Sequence, residues 1–184
     1  MKSNQIIRAD FVLAFDPSGA YDEGKGTTGW CVMHCKTNAV LEVGSIRALD
    51  YPTRMEYWDA HCKLIRECTK KYGMRLAVAA EDYILYKNKA ESQINSSFET
   101  SRLLGVVEHY CWQYAIPFHI RKAVVVMQRW TDDILIYKDI IYRIGGARFV
   151  KCRDSKCLCE HEVDAIRHAT HYTFFENRED NIGC

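Results

Sequence analysis

The chain has 184 residues, 48% apolar and 27% charged, a composition that suits one domain (residues 1–184) with a single sizeable core. Its formal net charge is +1, so no overall basic excess announces a nucleic-acid binder, although a near-neutral total still accommodates a local basic patch. The N-terminus has no long apolar stretch leading to a small-residue cleavage site, and no run of about 18 apolar residues occurs, which excludes a signal peptide and a membrane-spanning helix from the expectations.

Residues 10–17, mostly apolar and ending in Asp-Pro, predict a buried strand that stops in a turn. A Gly-rich stretch leads to a second strand over 30–34, and the alternation in 40–46 predicts a third, so the chain opens as an antiparallel meander. Apolar residues at helical spacing (Met55, Trp58, His61, Cys62, Ile65, Cys68) predict a helix over 52–71, with Pro52 in its first turn. Residues 75–81 read as a fourth strand, reached by a parallel crossover. A long helix is predicted over 91–114, then a short strand over 116–120. The stretch 122–130 fits strand or helix. Residues 131–144 read as helical behind a Thr-Asp-Asp cap, 145–160 as an irregular loop and 161–176 as a last helix. The order is that of an α/β domain with a mixed sheet. The nine cysteines are odd in number and scattered, which suits free thiols and a cytoplasmic setting.

Three places carry chemistry. Asp16 and Glu81 each end an otherwise apolar strand, and alternation sends Glu81 and Asp82 to opposite faces, so only one of that pair joins a shared site. His161 and Asp164 lie three residues apart at the start of the last helix and share one face, beside the small residues Ala165 and Ala169. Glu160 borders that face and Glu162 points away; both also suit the helix dipole, while His168 and His171 read as structural or exposed. Taken singly, each acid has a plain explanation as a turn cap or a solvated strand end. Taken together, carboxylates gathered from strand ends and a helix start need a cation to stay ionised, and oxygen ligands with one imidazole suit magnesium or manganese. Paired ions of that kind promote in-line phosphoryl displacement by water.

These motifs resemble those of RuvC-type Holliday junction resolvases. Asp16-Pro17-Ser18-Gly19 followed by Thr28-Gly29-Trp30 is similar to the first motif, and Ala79-Ala80-Glu81-Asp82-Tyr83 with Lys87-Asn88 to the second. A helix carrying Arg102 and Gly105 resembles the central helix, and His161-x-x-Asp164-Ala165 the terminal motif. The resemblance spans residues 10–176. It implies an RNase H-like fold, a mixed central sheet flanked by helices. It also implies a homodimer that binds four-way or branched DNA and nicks it in pairs with two Mg2+ or Mn2+ ions. Asp16, Glu81, His161 and Asp164 would then be catalytic metal ligands, with His161 ranked as ligand above proton carrier. Lys87, Arg121, Lys122 and Lys138 would meet phosphate. Tyr83 and Tyr86 would stack on bases, or else pack in the core. The helix over 91–114 would form the dimer interface. The longer DEGKG stretch and the Cys-containing loop before the last helix depart from bacterial cellular members and resemble divergent phage-type ones, whose setting would be the host cytoplasm.

Other readings compete. RNA-processing nucleases of the same class are usually smaller and lack the lysine-asparagine loop after the second acidic strand. A non-catalytic, actin-like nucleotide-binding lobe would need a second lobe for which the chain is too short. Cys152, Cys157 and Cys159 with His161 admit a structural zinc, without the paired C-x2-C knuckles that mark such sites.

Overall fold

The computed structural model describes residues 8–21, 24–83, 98–152 and 157–177. Three antiparallel strands open the chain: β1 (Phe11–Asp16), β2 (Thr27–His34) and β3 (Ala39–Arg47). Helix α1 (Arg54–Tyr72) then carries the chain from edge strand β3 back to β4 (Leu76–Asp82), which lies parallel to β1. Thr53, not Pro52, starts α1: its hydroxyl accepts the Glu56 N–H at 3.2 Å, a standard helix-start bond. Helix α2 (Glu99–Gln113) leads to β5 (Phe118–Lys122), parallel to β4, and the five-stranded sheet runs β3-β2-β1-β4-β5. The mixed sheet with flanking helices is the architecture expected from the sequence. No described helix is long and apolar enough to cross a membrane.

Strand alternation divides the core in two. On one face Leu13, Phe15, Val78 and Ala80 meet Tyr57, Ile65, Leu103 and Val107 of α1 and α2. On the other, Val12, Ala14, Ala77 and Ala79 meet the last helix, α5 (Glu160–His171), through Val163, Ala165, Ile166 and Ala169. The short side chains there bring α5 close against the middle of the sheet.

The ambiguous stretch 122–130 contains helix α3 (Ala123–Arg129). The expectation for 131–160 needs correction. Among the described residues from 131 to 159 only Asp132–Tyr137 is helical (α4), and β6 (Ile141–Ile144) pairs with β7 (Ala147–Val150) where a helix end and an irregular loop were expected. Gly145 and Gly146, at φ 56° and 89°, make the two-residue turn of a tight hairpin. That Gly-Gly pair between two apolar runs was the overlooked signal. The last helix also stops at His171 and widens into a π turn over Tyr172–Glu176.

Candidate active site

The residues on β1 and β4 that face α5 are Val12 and Ala14, then Ala77 and Ala79. Continuing the period of two, the next positions on that face are Asp16 and Glu81. In the parallel pairing Phe15 sits beside Ala80, so the two acids follow as neighbours one step further along. Asp82 falls on the opposite face, as alternation predicted.

Helix α5 starts directly over these strand ends. Gly29 on β2 pairs with Asp16, and a Cβ built on it would lie 2.0 Å from the His161 carbonyl oxygen. Only glycine therefore lets the first turn of α5 descend onto β2. His161 Nδ1 consequently reaches Asp16 Oδ2 at 2.5 Å across 145 residues of chain. His168, two turns along the same stripe, places Nε2 3.3 Å from Glu81 Oε2. Asp164 lies between them and is held by Arg167, whose other guanidinium nitrogen pairs with Asp132 at the start of α4.

The electrostatics show the crowding. Burial, and then the negative charge of Glu81, raises the Asp16 pKa, while the hydrogen bond from His161 opposes the rise. Burial raises Asp164 to about 6, with Asp16 adding to the effect and Arg167 opposing it. His161 is raised chiefly by its hydrogen bond to Asp16. Three carboxylates and an imidazole under mutual strain form a donor set that fits a hard divalent cation, which would relieve both repulsion and desolvation. Among the described residues, however, no three such side chains converge as a preformed cation cage. Asp16 is turned onto His161, Glu81 onto His168 and Asp164 onto Arg167. Ligation would require these side chains to exchange partners.

Sequence reasoning missed three members of this cluster. His168 was read as structural or exposed; it is 3% exposed and bonds Glu81. Its place seven residues after His161 on one helical stripe was the available signal. Arg167 and Asp132 had no such signal, because their pairing depends on how α4 folds against α5. Glu162, expected to point away, is 1% exposed: its carboxylate turns back to accept the Cys159 N–H at 3.0 Å and caps the helix. Glu160 pairs with Arg148 at 2.5 Å.

Of the residues expected to meet DNA, Lys122 is exposed at the end of β5. Arg121 is ion-paired to Glu176 at 2.6 Å, and Lys138 lies 5.6 Å from the Phe174 ring centroid. Tyr83 packs beside Phe98 at the core edge, with its hydroxyl buried. Tyr86 and Lys87 lie outside the described residues.

No protein-family model matches the sequence, and no curated protein matches it. The three-dimensional arrangement does find counterparts. Thermus thermophilus RuvC in complex with a Holliday junction substrate superimposes with a TM-score of 0.61 at 16% identity, covering 89% of this chain and 93% of that one. A second Thermus thermophilus RuvC structure gives a TM-score of 0.55 at 15% identity, covering 89% and 94%. The fold is that of RuvC. The match runs through nearly the whole of both chains, so the resemblance carried by scattered motifs has a counterpart in the complete β-α architecture. At this identity the RuvC likeness establishes the fold alone.

Proposed function

We propose that this chain is a metal-dependent endonuclease that cuts DNA at four-way junctions or related branches. The observation that carries the reading is the meeting of Asp16 and Glu81, at neighbouring strand ends, with His161 and Asp164 on one stripe of α5. Its support from outside the chain is the likeness to RuvC in complex with a Holliday junction substrate.

Asp16, Glu81, Asp164 and His161 would hold magnesium or manganese, two ions per site. When bound, these ions supply charge neutralisation for a phosphodiester and activation of water. The chain's own contribution is orientation. β1 and β4 fix two carboxylates, α5 fixes the third with the imidazole, and the alanine-rich packing beneath excludes water from the floor. His161 is a ligand first. Its bond to Asp16 also lets it hold a proton at Nδ1 when no cation is near.

DNA binding needs positive charge that the total of +1 conceals. Between residues 138 and 151 stand Lys138, Arg143, Arg148 and Lys151 against Asp139 alone, and phosphate would have to draw Arg143 from Asp132, Arg148 from Asp132 and Glu160, and Lys151 from Asp139. This basic stretch is the β6–β7 hairpin and its flanks, immediately before α5, and together with Lys122 it is the proposed phosphate-facing surface. A homodimer follows from the two-fold symmetry of a four-way junction. The outer side of α2 suits the interface, with Trp112 76% exposed and stacked on His109.

The deciding experiment incubates the protein with labelled four-way junction, linear duplex and structured RNA in magnesium or manganese. Paired nicks in the junction, lost on chelation and in Asp16→Asn while junction binding persists, are expected. Cleavage of RNA alone, no cleavage with either metal, or full activity in Asp16→Asn would overturn the proposal.

A further inference from the structure

Behind the turn that follows Asp16 lies a buried polar group that the metal-binding side chains do not use. Thr28 and Tyr57 are fully buried and His61 is 1% exposed. The Ser18 N–H donates to Thr28 Oγ1 at 3.0 Å, and Thr28 Oγ1 lies 2.9 Å from His61 Nε2. His61 Nδ1 lies 3.0 Å from the Tyr57 carbonyl oxygen, and the Tyr57 hydroxyl donates to the Ser18 carbonyl.

These contacts define the protons. The Tyr57 carbonyl only accepts, so His61 carries its hydrogen on Nδ1, and Nε2 must accept from the Thr28 hydroxyl. Burial keeps the His61 pKa down at about 4, so the neutral ring this pattern needs is the form present at neutral pH. The bonds then run in one direction, from the Ser18 N–H through Thr28 and His61 to the Tyr57 backbone. A second bond, from the Tyr57 hydroxyl, takes the Ser18 carbonyl. Both backbone polar groups of Ser18, its N–H and its carbonyl, are consumed by α1 and β2. Further along the turn, α2 takes over: the Gly19 N–H donates to Thr100 Oγ1 at 3.0 Å, and the Tyr21 N–H to Glu99 Oε2 at 2.9 Å.

Burying a hydroxyl and an imidazole is costly unless every bond is made, and apolar side chains of similar size would fill the same space without that condition. The polar choice therefore answers to Ser18, which Pro17 links rigidly to Asp16. We propose that Thr28, Tyr57 and His61 are positioning residues that fix the backbone next to Asp16, and so the direction in which its side chain leaves β1, by clamping the Ser18 backbone from behind. The inference rests on Asp16 belonging to the cleavage site proposed above.

The test compares Thr28→Val, which keeps the shape and removes the hydroxyl, with Thr28→Ser, which keeps the hydroxyl. Tyr57→Phe removes the bond to the Ser18 carbonyl and the 3.3 Å contact of the Tyr57 hydroxyl with Thr28 Oγ1 but leaves the Thr28–His61 bond, and supplies a milder variant if Thr28→Val fails to fold. Two quantities are read: kcat and KM for junction cleavage, and the Ser18 amide exchange rate in metal-free protein. By the usual cost of misaligned catalytic groups, Thr28→Val should lose at least about tenfold in kcat with KM within about threefold, and Thr28→Ser should restore it. Tyr57→Phe should lower kcat in the same direction by less. Ser18 exchange should accelerate at least about tenfold in Thr28→Val, since its amide partner is gone, and stay protected in Thr28→Ser. Wild-type kcat in Thr28→Val, or an equal loss in Thr28→Ser, overturns the proposal. If the native protein cuts no junction, the cleavage reading fails on its own, and unchanged Ser18 exchange in Thr28→Val would separately refute the clamp.

Discussion

Gly29→Ala is the substitution that interrogates the site most directly, because it adds one methyl group and replaces no proposed ligand. The added carbon would lie 2.0 Å from the His161 carbonyl oxygen, 2.2 Å from its carbon and 2.7 Å from the Glu162 nitrogen. Ordinary contact begins near 3.4 Å, so the first turn of α5 must retreat by about 1.4 Å along that line. Neither side yields cheaply: β2 is hydrogen-bonded on both edges, and the obstructing atoms are backbone. Overpacking of this kind costs about 1–3 kcal/mol of stability. His161 and Asp164 ride on the displaced turn while Asp16 and Glu81 stay with the sheet, and a misplacement of about 1 Å costs on the order of 100-fold in rate. Two measurements check this. Junction cleavage in magnesium should fall by about that factor at a temperature where the variant remains folded. In metal-free protein, the His161 pKa, raised by its bond to Asp16, should fall back towards its ordinary value, as a histidine titration by NMR would show. A variant with native stability, native cleavage and an unshifted His161 would mean that α5 does not rest on β2 as described.

Three further expectations follow from separate features. His61 is neutral and buried, so its folded pKa lies below its unfolded one; stability is complete above pH 6.5 and is lost as the pH falls from there towards about 4. At about 1.4 kcal/mol per pH unit the loss is roughly 3 kcal/mol, and urea unfolding across that range should be steeper in pH for the native protein than for His61→Gln; equal slopes would contradict it. Gly146→Ala meets no neighbouring atom, but its φ of 89° disfavours a side chain, so about 1–2 kcal/mol of hairpin stability should disappear, visible as faster amide exchange in β6 and β7. Trp112→Glu should leave the fold and its melting temperature unchanged while shifting sedimentation from dimer to monomer; an unaltered dimer would place the interface elsewhere than on α2.

The parts of this protein that were readable from its sequence share a physical property: each is fixed by a local period. The alternation of β1 and β4 places Asp16 and Glu81 on one face and Asp82 on the other. The helical period of α5 puts His161 beside Asp164. What escaped depends on contacts between distant segments or on a turn. Arg167 takes its role from Asp132, which α4 delivers from 35 residues away. Glu162 is drawn inward by the need to cap α5 behind a cysteine, where a serine or aspartate would have announced the cap. The β6–β7 hairpin was hidden because its strands are four residues each, too short for alternation to declare itself, and only Gly145-Gly146 marks it.

The separation of 145 positions between Asp16 and His161 has a consequence for the order of events during synthesis. The strand acids leave the ribosome early, while the helix that would complete the cluster, Glu160–His171, follows much later, and chains fold as they emerge. A partly made chain holds Asp16 and Glu81 on a bare sheet end, with neither the third carboxylate nor the imidazole. On the proposed reading, the nascent protein would have no complete site until α5 has docked.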